Sequence, residues 1–209
     1  MHSLLYEKSY LLSKSDVGGI DEVGRGALAG PVVAACVVIN KDFKIKNSKL
    51  KLVNDSKKIA PKLREYLYDV IISEIPNIGI GIASCTEVDR YNVLQATLIA
   101  MERAVKAIDM TPSHLVIDGR NILKNLKVSQ QAVIKGDSKI FVIAAASIIA
   151  KVERDRIMVK YHKKYPVYGF SQHVGYGTKK HLVNLRKYGP CKIHRYSYLP
   201  VIESTKTFE

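Results

Sequence analysis

The sequence has no tryptophan, only three cysteines, few acidic residues and no apolar run long enough to cross a bilayer. Cys36, Cys85 and Cys191 are odd in number, far apart and outside any C-x-x-C pattern. That argues against a disulfide framework or a cysteine zinc site, and none of the three has a nucleophile's setting. Cys36 lies inside an apolar run and reads as a small core residue. The longest apolar runs, residues 31–39 and 140–150, fall well short of the ~20 residues of a spanning helix. Residues 1–16 carry neither a continuous apolar stretch nor a small-residue cleavage site, so the expectation is a cytoplasmic protein with no membrane partner. No repeat, low-complexity tract or Pro/Gly/Ser linker divides the chain, and 1–209 is read as one domain. Nineteen Asp and Glu stand against 33 Lys and Arg, a net charge of +14. Such a balance points to a polyanionic partner, nucleic acid before an anionic membrane.

Hydrophobic periodicity predicts strands over residues 17–21 and 32–39, joined by a glycine-rich turn from Gly24 to Gly30. The second is a continuous β-branched run, as in a strand buried on both faces. A helix is predicted over 61–74, with Pro61 in its first turn and Leu63, Leu67, Val70 and Ile71 on one face. Residues 78–83 read as a strand, 86–108 as a helix in two pieces, 114–117 as a short strand ending at Asp118, and 129–134 as a further strand. A long helix follows from Ser138 to Lys164, and 178–187 reads as the last one. Strands near the front and a helical C-terminal part predict an α/β fold, a mixed sheet flanked by helices.

Cutting a phosphodiester at neutral pH needs an activated water, neutralised phosphate charge and a stabilised leaving oxygen. Two divalent ions about 3.5–4 Å apart can supply all three. Hard cations require several carboxylates at one point. Asp21 and Glu22 close the first strand, Asp118 closes the 114–117 strand, and Asp137 follows Gly136 at a helix start. Strand ends of open α/β sheets are where ligand sites form. Each acid also has a plainer role open to it: Asp118 as a turn residue, Asp137 as a helix N-cap. Adjacent residues on a regular strand face opposite ways, so Asp21 and Glu22 share a site only if the strand ends or distorts there, which Gly24 and Gly26 would permit. Glu153 and Asp155, among Arg154 and Arg156, read as solvated ion-pair surface.

The segment Gly19-Ile20-Asp21-Glu22-Val23-Gly24-Arg25-Gly26-Ala27-Leu28-Ala29-Gly30-Pro31-Val32 resembles the opening motif of the ribonuclease HII (type 2 ribonuclease H) family. Asn54-Asp55-Ser56-Lys57-Lys58, Val116-Ile117-Asp118-Gly119, Lys135-Gly136-Asp137, the run Ala144–Val152, Gly175-Tyr176-Gly177-Thr178 and His194-Arg195 resemble later motifs of that family, in the same order. The resemblance implies a ribonuclease H-like fold and an acidic quartet, Asp21, Glu22, Asp118 and Asp137, binding Mn2+ or Mg2+. It implies that Gly24, Arg25 and Gly26 contact the 2′-hydroxyl at an RNA-to-DNA junction, that Tyr176 senses that junction and that Lys57 contacts phosphate. The implied substrates are RNA–DNA hybrids and DNA duplexes containing ribonucleotides, cut to 5′-phosphate and 3′-hydroxyl ends by a chain expected to be monomeric. The related ribonuclease HIII group usually carries Glu in place of Asp137 and lacks the arginine at position 25.

These roles are chemically reasonable. The 2′-hydroxyl is the backbone mark of a ribonucleotide, and glycines let main chain approach it. From 151 to 195 there are twelve Lys and Arg against two acids, interleaved with Tyr161, Tyr165, Tyr168, Tyr176 and Tyr188. That pattern suits backbone tracking on nucleic acid. His173, His181 and His194 are not spaced as a metal cluster and read as surface or hydrogen-bonding residues. Two other functions remain open at this point: a non-catalytic hybrid-binding protein, and a nuclease of the same fold acting on DNA alone.

Overall fold

The computed structural model describes residues 16–40, 42–110 and 112–205. Of the segment 1–16 only Asp16 lies within it, so the reading of that segment falls outside the described residues. β1 (Asp16–Val23) and β2 (Val32–Asn40) pair antiparallel, from Asp16 opposite Asn40 to Val23 opposite Val33. β3 (Asn77–Ala83) adds antiparallel to β2, while β4 (His114–Asp118) runs parallel to β1 and β5 (Ser129–Val133) parallel to β4. The order is β3-β2-β1-β4-β5. The mixed sheet expected from the pattern is present.

β2 is buried from Val32 to Ile39, and its two faces feed two different cores. Ala35, Val37 and Ile39 pack with helices α1 (Pro61–Glu74) and α3 (Phe141–Lys164). Ala34, Cys36 and Val38 pack with α2 (Cys85–Lys106) on the other side. Period-two alternation therefore sorts one apolar run between two helical layers. α1 buries Leu67, Val70 and Ile71 as expected, but Leu63 is exposed. Arg64 takes the buried place instead, donating to the carbonyls of Ser56 and Ile59 and tying down the Lys57 loop.

α2 begins with a capping box between Ser84 and Glu87, and it breaks at Asn92, where φ is 64° and ψ 165°. The Asn92 side chain accepts from the backbone N–H of Leu94 and Gln95 and restarts the helix, which accounts for its two pieces. α3 starts at Phe141, not Ser138, because residues 136–138 form a 3-10 turn. Its N-cap is Ile140, with no side-chain cap, so Asp137 does not serve as one. The C-terminal part holds α4 (Phe170–His173), α5 (Lys179–Tyr188) and α6 (Leu199–Thr205). α6 follows the helix expected to be last; seven residues containing a proline are too few to show a helical period. No described helix is long and apolar enough to cross a membrane.

Candidate active site

β1 pairs with β2 in regular register as far as Val23, where it ends, so of the two routes expected the strand ends at Asp21 and Glu22 and is not distorted there. Its pairing with β4 stops earlier, at Ile20 opposite Ile117. Beyond that point Asp21 and Glu22 project from an uncovered strand end, beside the residue that closes β4, Asp118. Lys135 adopts a left-handed backbone, φ 56° and ψ 44°, and turns the chain after β5 so that Gly136 and Asp137 face Asp118. The Gly136 N–H donates to Asp118 Oδ1 at 2.7 Å. Sheet topology thus gathers four acids that are as far as 116 positions apart in sequence.

Their electrostatics are those of crowded like charges. Burial holds the Asp21 carboxyl well above the ordinary carboxylate range, and Glu22 and Asp118 push it further. Burial raises Glu22 too, against the pull of Arg25, and burial with Asp118 and Asp55 raises Asp137. Among the described residues no three acidic, histidine or cysteine side chains converge as a closed ligand set. Their partners explain why. Asp21 Oδ1 accepts from the Glu22 N–H at 2.7 Å, Glu22 Oε1 pairs with Arg25 at 3.2 Å, and Asp118 Oδ1 is turned to Gly136. The donor set is nonetheless right for a hard cation: carboxylate oxygens only, partly desolvated, repelling one another.

Besides Arg25, Lys57 is the cation that the cluster acts on. Burial lowers its pKa, but Asp21, Asp137 and Asp55 outweigh that and hold it above the usual lysine value. A cavity of about 280 Å3 opens beside it, lined by Glu22, Ser56, Lys57, Ser147, Lys151 and Tyr176 among others. Ser147, the polar break in an apolar helix, bonds Ser56 at 2.9 Å and also the Asp21 carboxyl. Arg25 and Gly26 are exposed at the rim, and a Cβ on Gly26 would meet nothing within 4 Å. Gly24 has φ +96°, and a Cβ there would lie 2.2 Å from Arg154 Nε, so only glycine fits.

The ribonuclease HII family profile matches residues 18–201. The chain belongs to the ribonuclease HII family. It is 48% identical to the ribonuclease HII of Caldanaerobacter subterraneus over 94% of its own length and 80% of the relative's. It is also 48% identical to that of Clostridioides difficile, over 93% of this chain and 72% of the relative. Among solved structures, the ribonuclease H2 of Pyrococcus horikoshii superposes with a TM-score of 0.76 at 26% identity, covering 92% of this chain and 98% of that one. The fold is the ribonuclease H-like one, and the protein is a metal-dependent endoribonuclease of the family that acts on RNA–DNA hybrids.

Sequence reasoning missed what supports the family's glycine and tyrosine loops. Arg154 is fully buried, not part of a solvated ion-pair face. It donates to the carbonyls of Pro31, Ala29 and Val174 at 2.9, 3.1 and 2.8 Å, and its guanidinium lies 5.5 Å from the Tyr176 ring centroid. Burial lowers its pKa to about 10. Arg195, also fully buried, donates to the carbonyls of Gly24, Arg25 and Gly30. Arg154 thus ties residues 29–31 to Val174 in the Tyr176 segment, and Arg195 pins residues 24–30. Gly175 completes the seam: its φ is +86° and a Cβ would sit 2.4 Å from the Ala29 oxygen. Of the basic run 151–195, these two arginines serve packing and leave the solvent-facing charge to the rest. The neighbours Glu153, Asp155 and Arg156 do form ion pairs, with Arg156 3.8 Å from Glu153 and 2.7 Å from Glu65 and Lys151 2.7 Å from Asp155. The only signal for a buried Arg154 was its place in line with Ala150, Ser147 and Ile143 on the helix's inner face.

Proposed function

We propose that the enzyme hydrolyses the RNA strand of RNA–DNA hybrids and also cuts on the 5′ side of single ribonucleotides embedded in duplex DNA. Asp21, Glu22, Asp118 and Asp137 are its catalytic residues, as ligands of two divalent cations, Mn2+ or Mg2+. The observation that carries this reading is the placement of these four acids within electrostatic reach of one another at the ends of β1 and β4 and the turn before α3, with raised proton affinity at Asp21, Glu22 and Asp137. Bound there, two cations supply charge neutralisation for the phosphate and activation of the attacking water. Water adds to phosphorus in line, the bond from phosphorus to the 3′ oxygen breaks, and that oxygen leaves as a 3′-hydroxyl, with the 5′-phosphate on the downstream ribonucleotide.

The chain's own groups bind and orient. Lys57, with Lys151 across the same cavity, offers cationic contacts to substrate phosphate. Gly24, Arg25 and Gly26 form the rim against which the 2′-hydroxyl is read, and the exposed Arg25 fork, which holds Glu22 through one nitrogen, engages phosphate through the others. Tyr176 lays its ring against the sugar next to the ribonucleotide. One sheet runs through the described core, which supports reading 1–209 as a single catalytic domain; that it acts as a monomer is part of the proposal.

The test is a DNA duplex carrying one ribonucleotide, incubated with Mn2+, Mg2+ or chelator, and the cut mapped. Metal-dependent cleavage just 5′ of the ribonucleotide is expected. Cleavage of long hybrids alone would remove the junction roles of Arg25 and Tyr176, and no cleavage with either metal would sink the proposal.

A further inference from the structure

His173, His181 and His194 are buried together behind the segment that carries Tyr176. The rings of His173 and His181 stack with centroids 4.4 Å apart, and His194 Nε2 lies 3.1 Å from His181 Nε2. Tyr168 and Phe170 wall the group, with ring centroids 4.9 and 5.7 Å from that of His194.

The shortest contacts of these rings select one set of tautomers, the Cys191 N–H lying nearer His194 Nδ1 (2.9 Å) than the Cys191 carbonyl does (3.3 Å). A ring nitrogen that accepts from a backbone N–H carries no proton. Cys191 N–H donates to His194 Nδ1 at 2.9 Å, so the His194 proton sits on Nε2 and points at His181 Nε2. His181 therefore holds its proton on Nδ1, which donates to the Tyr176 carbonyl at 2.9 Å. His173 accepts from the Gly175 N–H at Nδ1, 3.3 Å, and donates from Nε2 to the Tyr168 carbonyl at 2.7 Å. All three imidazoles are neutral and every ring nitrogen is engaged. Two of these bonds end on the main chain around the Tyr176 α-carbon, one on the preceding N–H and one on its own carbonyl. Apolar side chains of similar volume would fill the same space; a directional relay instead fixes one backbone register for the loop.

We infer that His181 and His194, with His173, are positioning residues that hold Tyr176 in the geometry that recognises a ribonucleotide–DNA junction. The inference rests on the proposed role of Tyr176 at that junction. It concerns specificity and leaves the carboxylate chemistry untouched.

Two polar replacements of His181 separate positioning from packing. In His181→Asn the amide N–H falls near the place of Nδ1 and keeps the donor to the Tyr176 carbonyl. In His181→Gln it falls near Nε2 and loses that donor. The readout is the ratio of kcat/KM on a duplex with one ribonucleotide to kcat/KM on a hybrid with a long RNA tract, with Tyr176→Ala measured alongside. The expected result is a ratio lowered about tenfold in His181→Gln and held within about threefold of wild type in His181→Asn, the loss being that of one buried hydrogen bond. If the ratio falls equally in both, or in neither, while Tyr176→Ala lowers it, the relay is wrong and the Tyr176 reading stands. If Tyr176→Ala leaves the ratio unchanged, the junction reading itself fails and the relay falls with it. Should either His181 variant not fold, His194→Gln, which keeps an Nε2-like donor, against His194→Leu, which does not, makes the same comparison: a lowered ratio in His194→Leu alone supports the relay, and equal ratios overturn it.

Discussion

Two regions of this molecule bury titratable groups, and they do so in opposite ways. At the ends of β1 and β4, acids crowd one another and their proton affinity rises. Around Tyr176, two guanidiniums and three imidazoles are buried as deeply, yet each is engaged by a carbonyl, an N–H or another ring nitrogen. The first region has electrostatic repulsion that a cation relieves, which is what a metal-dependent reaction needs. The second has its polar groups already partnered, which suits the recognition role proposed for Tyr176. On the proposed reading, chemistry and specificity draw on opposite states of buried titratable groups, unrelieved in one region and fully partnered in the other.

The largest effect expected from breaking this contrast is on the acidic side. Asp21→Asn or Asp118→Asn should lower cleavage by about 10^3-fold or more, since ligands of the cations are lost. Hybrid binding in a filter or anisotropy assay should survive. Full activity in either variant would remove the quartet. Next comes Arg195→Met, which strands the Gly30 carbonyl and removes a donor from those of Gly24 and Arg25, which keep the Ala27 N–H and the Tyr198 hydroxyl. A loss of about 3 kcal/mol, or roughly 6–12 °C in Tm, is expected by thermal unfolding.

Acid should act on the two regions with opposite sign. Asp21 has a raised pKa in the fold, so its contribution is most favourable below the unfolded value and is lost as pH rises through the folded one. In chelator, Asp21→Asn should therefore be more stable than wild type at neutral pH, with the advantage fading as pH falls. His181 and His194 are lowered to about 4 by burial. Their contribution is present above the unfolded histidine value of about 6.5 and is lost as pH falls through about 4. His194→Gln should flatten that acid limb by at most about 3 kcal/mol, a discount being expected because the two rings share one hydrogen bond and titrate together. Denaturant melts across the pH range read both differences. The smallest effect belongs to Arg25→Ala, whose half-exposed side chain pairs with Glu22. It should weaken hybrid binding a few-fold and reduce the log–log salt slope by about one.

Much of this was legible in the sequence. The β2 run, the Pro61 helix and the acids ending apolar stretches beside glycine each have a local signature, and order along the chain tied them to one family. The route by which Asp21 and Glu22 share a site was not legible. It depends on where β4 stops pairing with β1, and that is a tertiary fact with no mark on β1 itself. Nor did the buried arginines and histidines announce themselves. A basic or imidazole residue in a polar stretch reads as surface until the carbonyls that receive it, more than a hundred positions away in the case of Arg154 and Pro31, are brought to it by the fold.

Cation binding at the acidic cluster requires that protons be exchanged for cations. Calorimetric titration of Mn2+ into the protein at about pH 5, in two buffers of different ionisation enthalpy, measures that exchange directly. Binding accompanied by proton release, with the release reduced or binding lost in Asp21→Asn, is the predicted result. Mn2+ binding without proton release, or binding unchanged by Asp21→Asn, would contradict it.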